Sequence, residues 1–190
     1  MFCCWEARAE VVYSNLNTDP SAPFAYGYTQ FAQRFTTISA GTGLNLDLNL
    51  ISLNGAESYS AELWSANGSG NAPGSLLASI GSGLISTQSR TAITSLNLTY
   101  ALAPATQYFV KLTTSPNLGW AIGPNSSTNL NSVFLYGVAS FNTDNTIAGG
   151  MKVEVVAAGV PEIAPAGIGS LLALFTGALV WLERRRIRAS

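Results

Sequence analysis

Leu44-Asn45-Leu46-Asp47-Leu48-Asn49-Leu50-Ile51 is the stretch on which the reading of the fold turns. Leucine holds every second position, and Asn45, Asp47 and Asn49 fill the gaps until the polar face turns apolar at Ile51. Successive strand side chains point to opposite faces, so this alternation predicts a half-buried β-strand and not a helix.

The same period extends outward from it. Tyr59, Ala61 and Leu63 alternate with Ser60, Glu62 and Trp64. Ile93, Ser95, Asn97 and Thr99 oppose Thr94, Leu96, Leu98 and Tyr100, and Tyr108, Val110 and Leu112 oppose Phe109, Lys111 and Thr113. Residues 133–138 and 151–156 are two further strand-like runs. Asn54-Gly55, Asn67-Gly68, Pro73-Gly74, Ala103-Pro104, Gly123-Pro124 and Gly149-Gly150 supply turns between them. Eight or nine short strands result, spaced as in an all-β antiparallel sandwich of jelly-roll or Ig-like type over residues 10–157. The sequence shows no amphipathic helix before residue 160 and no internal repeat.

Composition narrows the function. Of nine Lys and Arg residues, only Arg34, Arg90, Lys111 and Lys152 fall between Glu10 and Val156, too few for a nucleic-acid footprint. Histidine is absent, which removes the commonest general base and metal ligand. Cys3 and Cys4 are adjacent and cannot staple a fold. Met1–Trp5 is too short for a signal-peptide core, yet Ala7-Arg8-Ala9 has the small-x-small pattern of a cleavage site. Residues 1–9 are therefore read as the remnant of a leader whose start lies upstream.

The other end, residues 158–190, is a tail in three parts. Val160-Pro161-Glu162 breaks the β pattern. Ile163–Leu182 follows, 20 residues without a charge, which matches one transmembrane helix. Arg184, Arg185, Arg186 and Arg188 then form a basic cluster that sets the topology, because arginines stay on the cytoplasmic side. This places the β domain outside the cytoplasm.

That tail resembles the PEP-CTERM sorting signal of Gram-negative and related bacteria, with Ile163 where the motif carries its second proline and Pro165 two residues later. The resemblance implies processing near Val160-Pro161-Glu162 by an exosortase, an inner-membrane precursor, and a mature form at the cell surface or in an exopolysaccharide matrix. The remaining domain resembles choice-of-anchor extracellular domains of type R. The stretches that carry this likeness are Tyr28–Thr36, Glu62-Leu63-Trp64-Ser65, Pro73–Ala78 and Leu102–Tyr108.

Catalysis is hard to build from these residues, and no catalytic, cofactor or metal residue is assigned. Glu57 and Glu62 are close in sequence, but a separation of five puts them on opposite faces of a strand. Without histidine there is no Ser-His-Asp triad. Asn142, Asp144 and Asn145, and Asn15, Asn17 and Asp19, are oxygen-rich runs read as solvated turns, because neither is followed by a closing Glu. The aromatics Trp64, Trp120 and Tyr136, with Tyr26 and Tyr28, have two readings. They are core residues, or they form a flat platform for a glycan. The expectation is a non-enzymatic exported surface or matrix protein, the alternative a carbohydrate-binding module of that matrix. Two exposed coplanar rings on one face would favour the alternative.

Overall fold

The computed structural model describes residues 9–16, 24–85, 92–123, 134–137, 142–144 and 148–157. The chain divides into two compact units, Met1–Ala158 and Gly159–Ser190. The second unit lies outside the described residues. So do residues 1–8, the Val160-Pro161-Glu162 motif, the expected helix 163–182 and the basic cluster 184–188. Among the described residues no helix is long and apolar enough to cross a membrane.

The first unit is all-β, with antiparallel ladders throughout the described pairings. The opening stretch lies in β4 (Gly41–Ser52). Leu44, Leu46, Leu48 and Leu50 are fully buried on one face, as the alternation requires. On the other face Asp47 accepts a hydrogen bond from the Ser95 hydroxyl. From Asn49 onward both faces are buried. β7 (Ala92–Leu102) lines one edge of β4. β13 (Met151–Ala157) lines the other edge as far as Leu48. There β9 (Leu118–Gly123) takes over, pairing with Leu50–Ser52. β1 (Ala9–Ser14) pairs with β13, and β2 (Phe24–Ala25) and β12 (Ala148–Gly149) pair with β9, completing a seven-stranded sheet.

The second sheet has six strands. Its order is β11 (Asn142–Asp144), β10 (Phe134–Gly137), β3 (Gln30–Thr36), β8 (Gln107–Thr114), β5 (Glu57–Ala66) and β6 (Pro73–Ile85). Phe31 and Phe35 of β3, Tyr59, Ala61 and Leu63 of β5, and Tyr108, Val110 and Leu112 of β8 meet the leucines of β4 in one continuous core. Two sheets closed face to face over a shared core make a sandwich.

Two polar features inside the core fix how the sheets meet. Gln33 is fully buried on the inner face of β3. Its Oε1 accepts from the Gly149 N–H of the opposite sheet at 2.9 Å, and its Nε2 donates to the Arg34 carbonyl at 3.1 Å. The reading of Gln33-Arg34-Phe35 as a polar pair beside a core aromatic holds. The Leu102–Tyr108 corner holds as well. The Tyr108 hydroxyl accepts from the Ala103 N–H at 2.9 Å, its ring stacks on Phe35, and Thr37 Oγ1 donates to the Ala103 carbonyl at 2.6 Å. Such a tyrosine ties a strand to the corner that precedes it.

Thirteen strands are described where the sequence predicts eight or nine. β6 is the largest addition. Pro73-Gly74 is read as a turn in the sequence, yet it begins a 13-residue edge strand, a position where proline costs no ladder bond.

Candidate functional site

The outer face of the six-stranded sheet carries Trp64, and the surrounding residues determine what its ring can do. Glu62, Trp64 and Ala66 point outward from β5, opposite the inner-facing Tyr59, Ala61 and Leu63. In the ladder Glu62 stands against Lys111 and Trp64 against Phe109. Trp64 Nε1 donates to Glu62 Oε2 at 2.9 Å, and the Lys111 ammonium sits 4.5 Å from the centre of the indole ring. A cation over an indole face is held by the ring's quadrupole. Trp64 also packs, with Ala66 and Ala72, against buried Ala32 and Phe109.

The loop after β5 closes this cluster. Asn67 Oδ1 accepts from the Asn71 and Ala72 N–H groups, and Arg34 donates to the Gly70 carbonyl at 2.7 Å. Burial holds the Arg34 pKa below its ordinary value. The outer face is thus a small second core with an aromatic, a cation and a carboxylate at its rim, all three half-buried. One face of the Trp64 ring is occupied and its N–H is satisfied, so it offers little open surface for stacking.

The other proposed platform residues do not join it. Trp120 is 0% exposed: it lies in the core on β9, donates its Nε1–H to the Gly150 carbonyl at 3.1 Å, and meets Phe31 edge to face. This corrects its reading as a glycan platform, because β9 is covered by the six-stranded sheet. Tyr136 is in β10, opposite Phe31 in the ladder; its side chain is not among those described. Trp64 and Trp120 therefore share no face.

Among the described residues Tyr26 is the aromatic that is exposed to solvent. It is 58% exposed, just past β2, with its ring 5.3 Å from that of Phe24. Tyr28 beside it is half-buried, edge-on to Phe31.

The described acids do not converge. Glu57 is buried on the inner face of β5 and Glu62 lies on the outer face, as their spacing predicts. Among the described residues no group of three metal-ligating side chains exists. Asn142–Asp144, read as a solvated turn, instead forms edge strand β11. Asn145, Asn17 and Asp19 lie outside the described residues. Asn15 is buried and donates to the Ala148 carbonyl at 3.3 Å. A cleft lined by Ala9, Glu10, Val11 and Ala157 holds one carboxylate, Glu10, which accepts from the Ser39 hydroxyl.

No protein-family model and no curated protein matches the chain. Among solved structures it is similar to a carbohydrate-binding module of Cellvibrio mixtus lichenase 5A in complex with cellotriose, at 14% identity and a TM-score of 0.28. That match covers 63% of each chain, so this protein spans under two thirds of that structure. It is also similar to the CBM35 from Cellvibrio japonicus Abf62, at 13% identity and a TM-score of 0.34, covering 81% of this chain and 91% of that one. A third is Xyl-CBM35 in complex with a glucuronic acid containing disaccharide, at 15% identity and a TM-score of 0.30, with coverage of 77% and 96%. At such scores the likeness carries no functional argument; the all-β architecture rests on the ladders above.

Proposed function

We propose that this chain is a non-enzymatic, exported β-sandwich protein of a bacterial envelope, sorted through its C-terminal tail. One observation carries the reading. The order Val160-Pro161-Glu162, a 20-residue charge-free run and an arginine cluster follows directly on a domain whose last strand ends at Ala157. A run of that length spans hydrocarbon, and arginines after it hold the preceding domain outside the cytoplasm. The separated acids and the absence of histidine support a non-catalytic role.

The test is fractionation of an epitope-tagged precursor, supplied with an export signal, in a host with and without an exosortase. With the enzyme, a shorter form lacking the tail reaches the surface or medium. Without it, or with Pro161→Ala and Glu162→Ala, the full-length chain stays in the inner membrane. Identical fractions in both hosts refute sorting.

A second reading, that the sandwich binds polysaccharide of the matrix, is favoured by the exposed Tyr26 ring. Depletion of the protein by insoluble glycans tests it.

A further inference from the structure

We propose that Asn54-Gly55 is a site of spontaneous covalent modification, where asparagine turns into aspartate and isoaspartate through a cyclic imide, and that Asn67-Gly68 is shielded from the same reaction by its own loop. The site stands apart from sorting and from polysaccharide binding.

Sequence and exposure do not separate the two pairs. Each is an asparagine followed by glycine in a turn, and both asparagines are exposed. A residue without a Cβ lets its backbone nitrogen approach the preceding side chain closely. A Cβ on Gly55 or on Gly68 would meet nothing within 4 Å, so both turns have room for a ring to form.

Hydrogen bonding does separate them. Asn67 Oδ1 accepts from the Ser69 hydroxyl at 2.9 Å and from the Asn71 and Ala72 N–H groups at 3.1 and 3.3 Å. The Asn67 N–H donates to the Ala72 carbonyl, and its carbonyl accepts from the Gly70 N–H, both at 2.8 Å. Arg34 fastens the same loop by donating to the Gly70 carbonyl at 2.7 Å. Side chain and backbone of Asn67 are therefore fixed together.

Asn54, between β4 and β5, has no such frame. The bonds of its turn go to its neighbours. Leu53 N–H donates to the Asn117 carbonyl at 3.1 Å, and the Ser52 hydroxyl donates to the Gly55 carbonyl at 2.5 Å. Among the described residues no intramolecular hydrogen bond holds the Asn54 side chain.

The chemistry needs only water. The Gly55 backbone nitrogen loses its proton and attacks Cγ of Asn54. That C–N bond forms, the bond from Cγ to the side-chain nitrogen breaks, and ammonia leaves. Water then opens the imide at either carbonyl, giving aspartate or isoaspartate. Orientation governs the first step, where a misplacement of about 1 Å can cost about a hundredfold. Asn67 must break its loop bonds to bring Cγ to the Gly68 nitrogen, whereas Asn54 turns freely into place. Either product puts a carboxylate on residues 52–56, which carry no charge. Isoaspartate also adds a carbon to the backbone beside the Leu53–Asn117 bond.

The experiment incubates the full chain in detergent micelles at pH 8 in heavy-oxygen water, digests it, and follows each asparagine by peptide mass spectrometry. The Asn54 peptide is expected to gain a heavy oxygen in a new carboxyl group, and to split into aspartate and isoaspartate forms, at least about tenfold faster than the Asn67 peptide. In urea, where the loop bonds are gone, the two rates should come within about threefold of each other. Asn54→Gln, which would have to close a larger ring, should lose the reaction at that position while circular dichroism shows its strands intact. Asn67 reacting as fast as Asn54 in the folded chain overturns the shielding. Asn54 reacting no faster than Asn97, which no glycine follows, overturns the site. A tenfold gap that persists in urea assigns the difference to sequence and overturns the structural cause.

Discussion

Replacing Gln33 tests whether one buried amide helps fasten the two sheets. The side chain is fully buried, accepting from the Gly149 N–H at 2.9 Å and donating to the Arg34 carbonyl at 3.1 Å. Gln33→Met keeps length and adds apolar character, yet strands a buried N–H, which costs about 1–3 kcal/mol. Methionine burial offsets part of this, so the net loss is about 1–2 kcal/mol, or a melting point lower by about 2–8 °C for a domain of this size. Gln33→Glu adds a pH signature. Protonated, the acid can make both bonds. Ionised, it is a buried charge on the inner face, whereas the neighbouring Arg34 guanidinium is engaged with the Gly70 carbonyl on the outer side. Burial raises its folded pKa above the unfolded value of about 4.3, by about 2–3 units. The native state then holds the proton more tightly. Relative to the parent, stability is retained below pH 4, falls as pH rises toward the folded pKa, and levels off about 3–4 kcal/mol lower. The chain has no histidine, so no imidazole titrates across that window. Urea melts of parent and both variants at pH 4, 5, 6, 7 and 8 read the effect. A methionine variant as stable as the parent, or a glutamate variant whose pH profile parallels it, refutes the reasoning.

Two further substitutions probe the core polar groups. Tyr108→Phe removes the acceptor of the Ala103 N–H bond at the corner. It should cost about 1–2 kcal/mol in a urea melt while leaving the far-ultraviolet spectrum unchanged. Burial pushes the Tyr13 hydroxyl far above its ordinary pKa, and the neighbouring Asn15 only partly offsets this. Among the described residues no group meets the hydroxyl in full hydrogen-bonding geometry, so Asn15 acts on it only weakly and burial dominates. Its folded pKa is raised, so its contribution to stability is complete below about pH 10 and is lost as pH rises beyond that. Tyr13→Phe should match the parent within about 0.5 kcal/mol at pH 7 and unfold at higher pH in an alkaline titration followed by circular dichroism.

The architecture was legible where one face of a strand is polar. Leu44–Ile51 gave its strand and its inner face directly, and the Glu57/Glu62 separation gave two opposite faces. β6 was hidden for the opposite reason. Its Pro73-Gly74 start and the glycines at 81 and 83 look like turn signals. At Gly83 a Cβ would come 2.7 Å from the Tyr59 hydroxyl, so the glycine is dictated by a partner 24 positions away. β2 and β12, two residues each, are too short to show a period at all.

Trp64 and Trp120 show why the site was harder to find than the fold. Both sit on strands rich in apolar residues, and the pattern of one strand says only which side chains share a face. Which face the other sheet will cover is a property of the assembled sandwich. Trp120 falls on the covered face and becomes core. Trp64 falls on the open face, where Lys111, Glu62 and the Asn67–Ala72 loop close around it. Neither fate was written in its own strand. Tyr26 carries a weaker sequence signal still, a tyrosine before a glycine with no long strand around it. It stays exposed because β2 ends after Ala25 and the loops at that end bond to one another through their backbones. Exposure of a ring at a strand's end is a consequence of where hydrogen bonding stops, so it becomes visible only once the ladders are known.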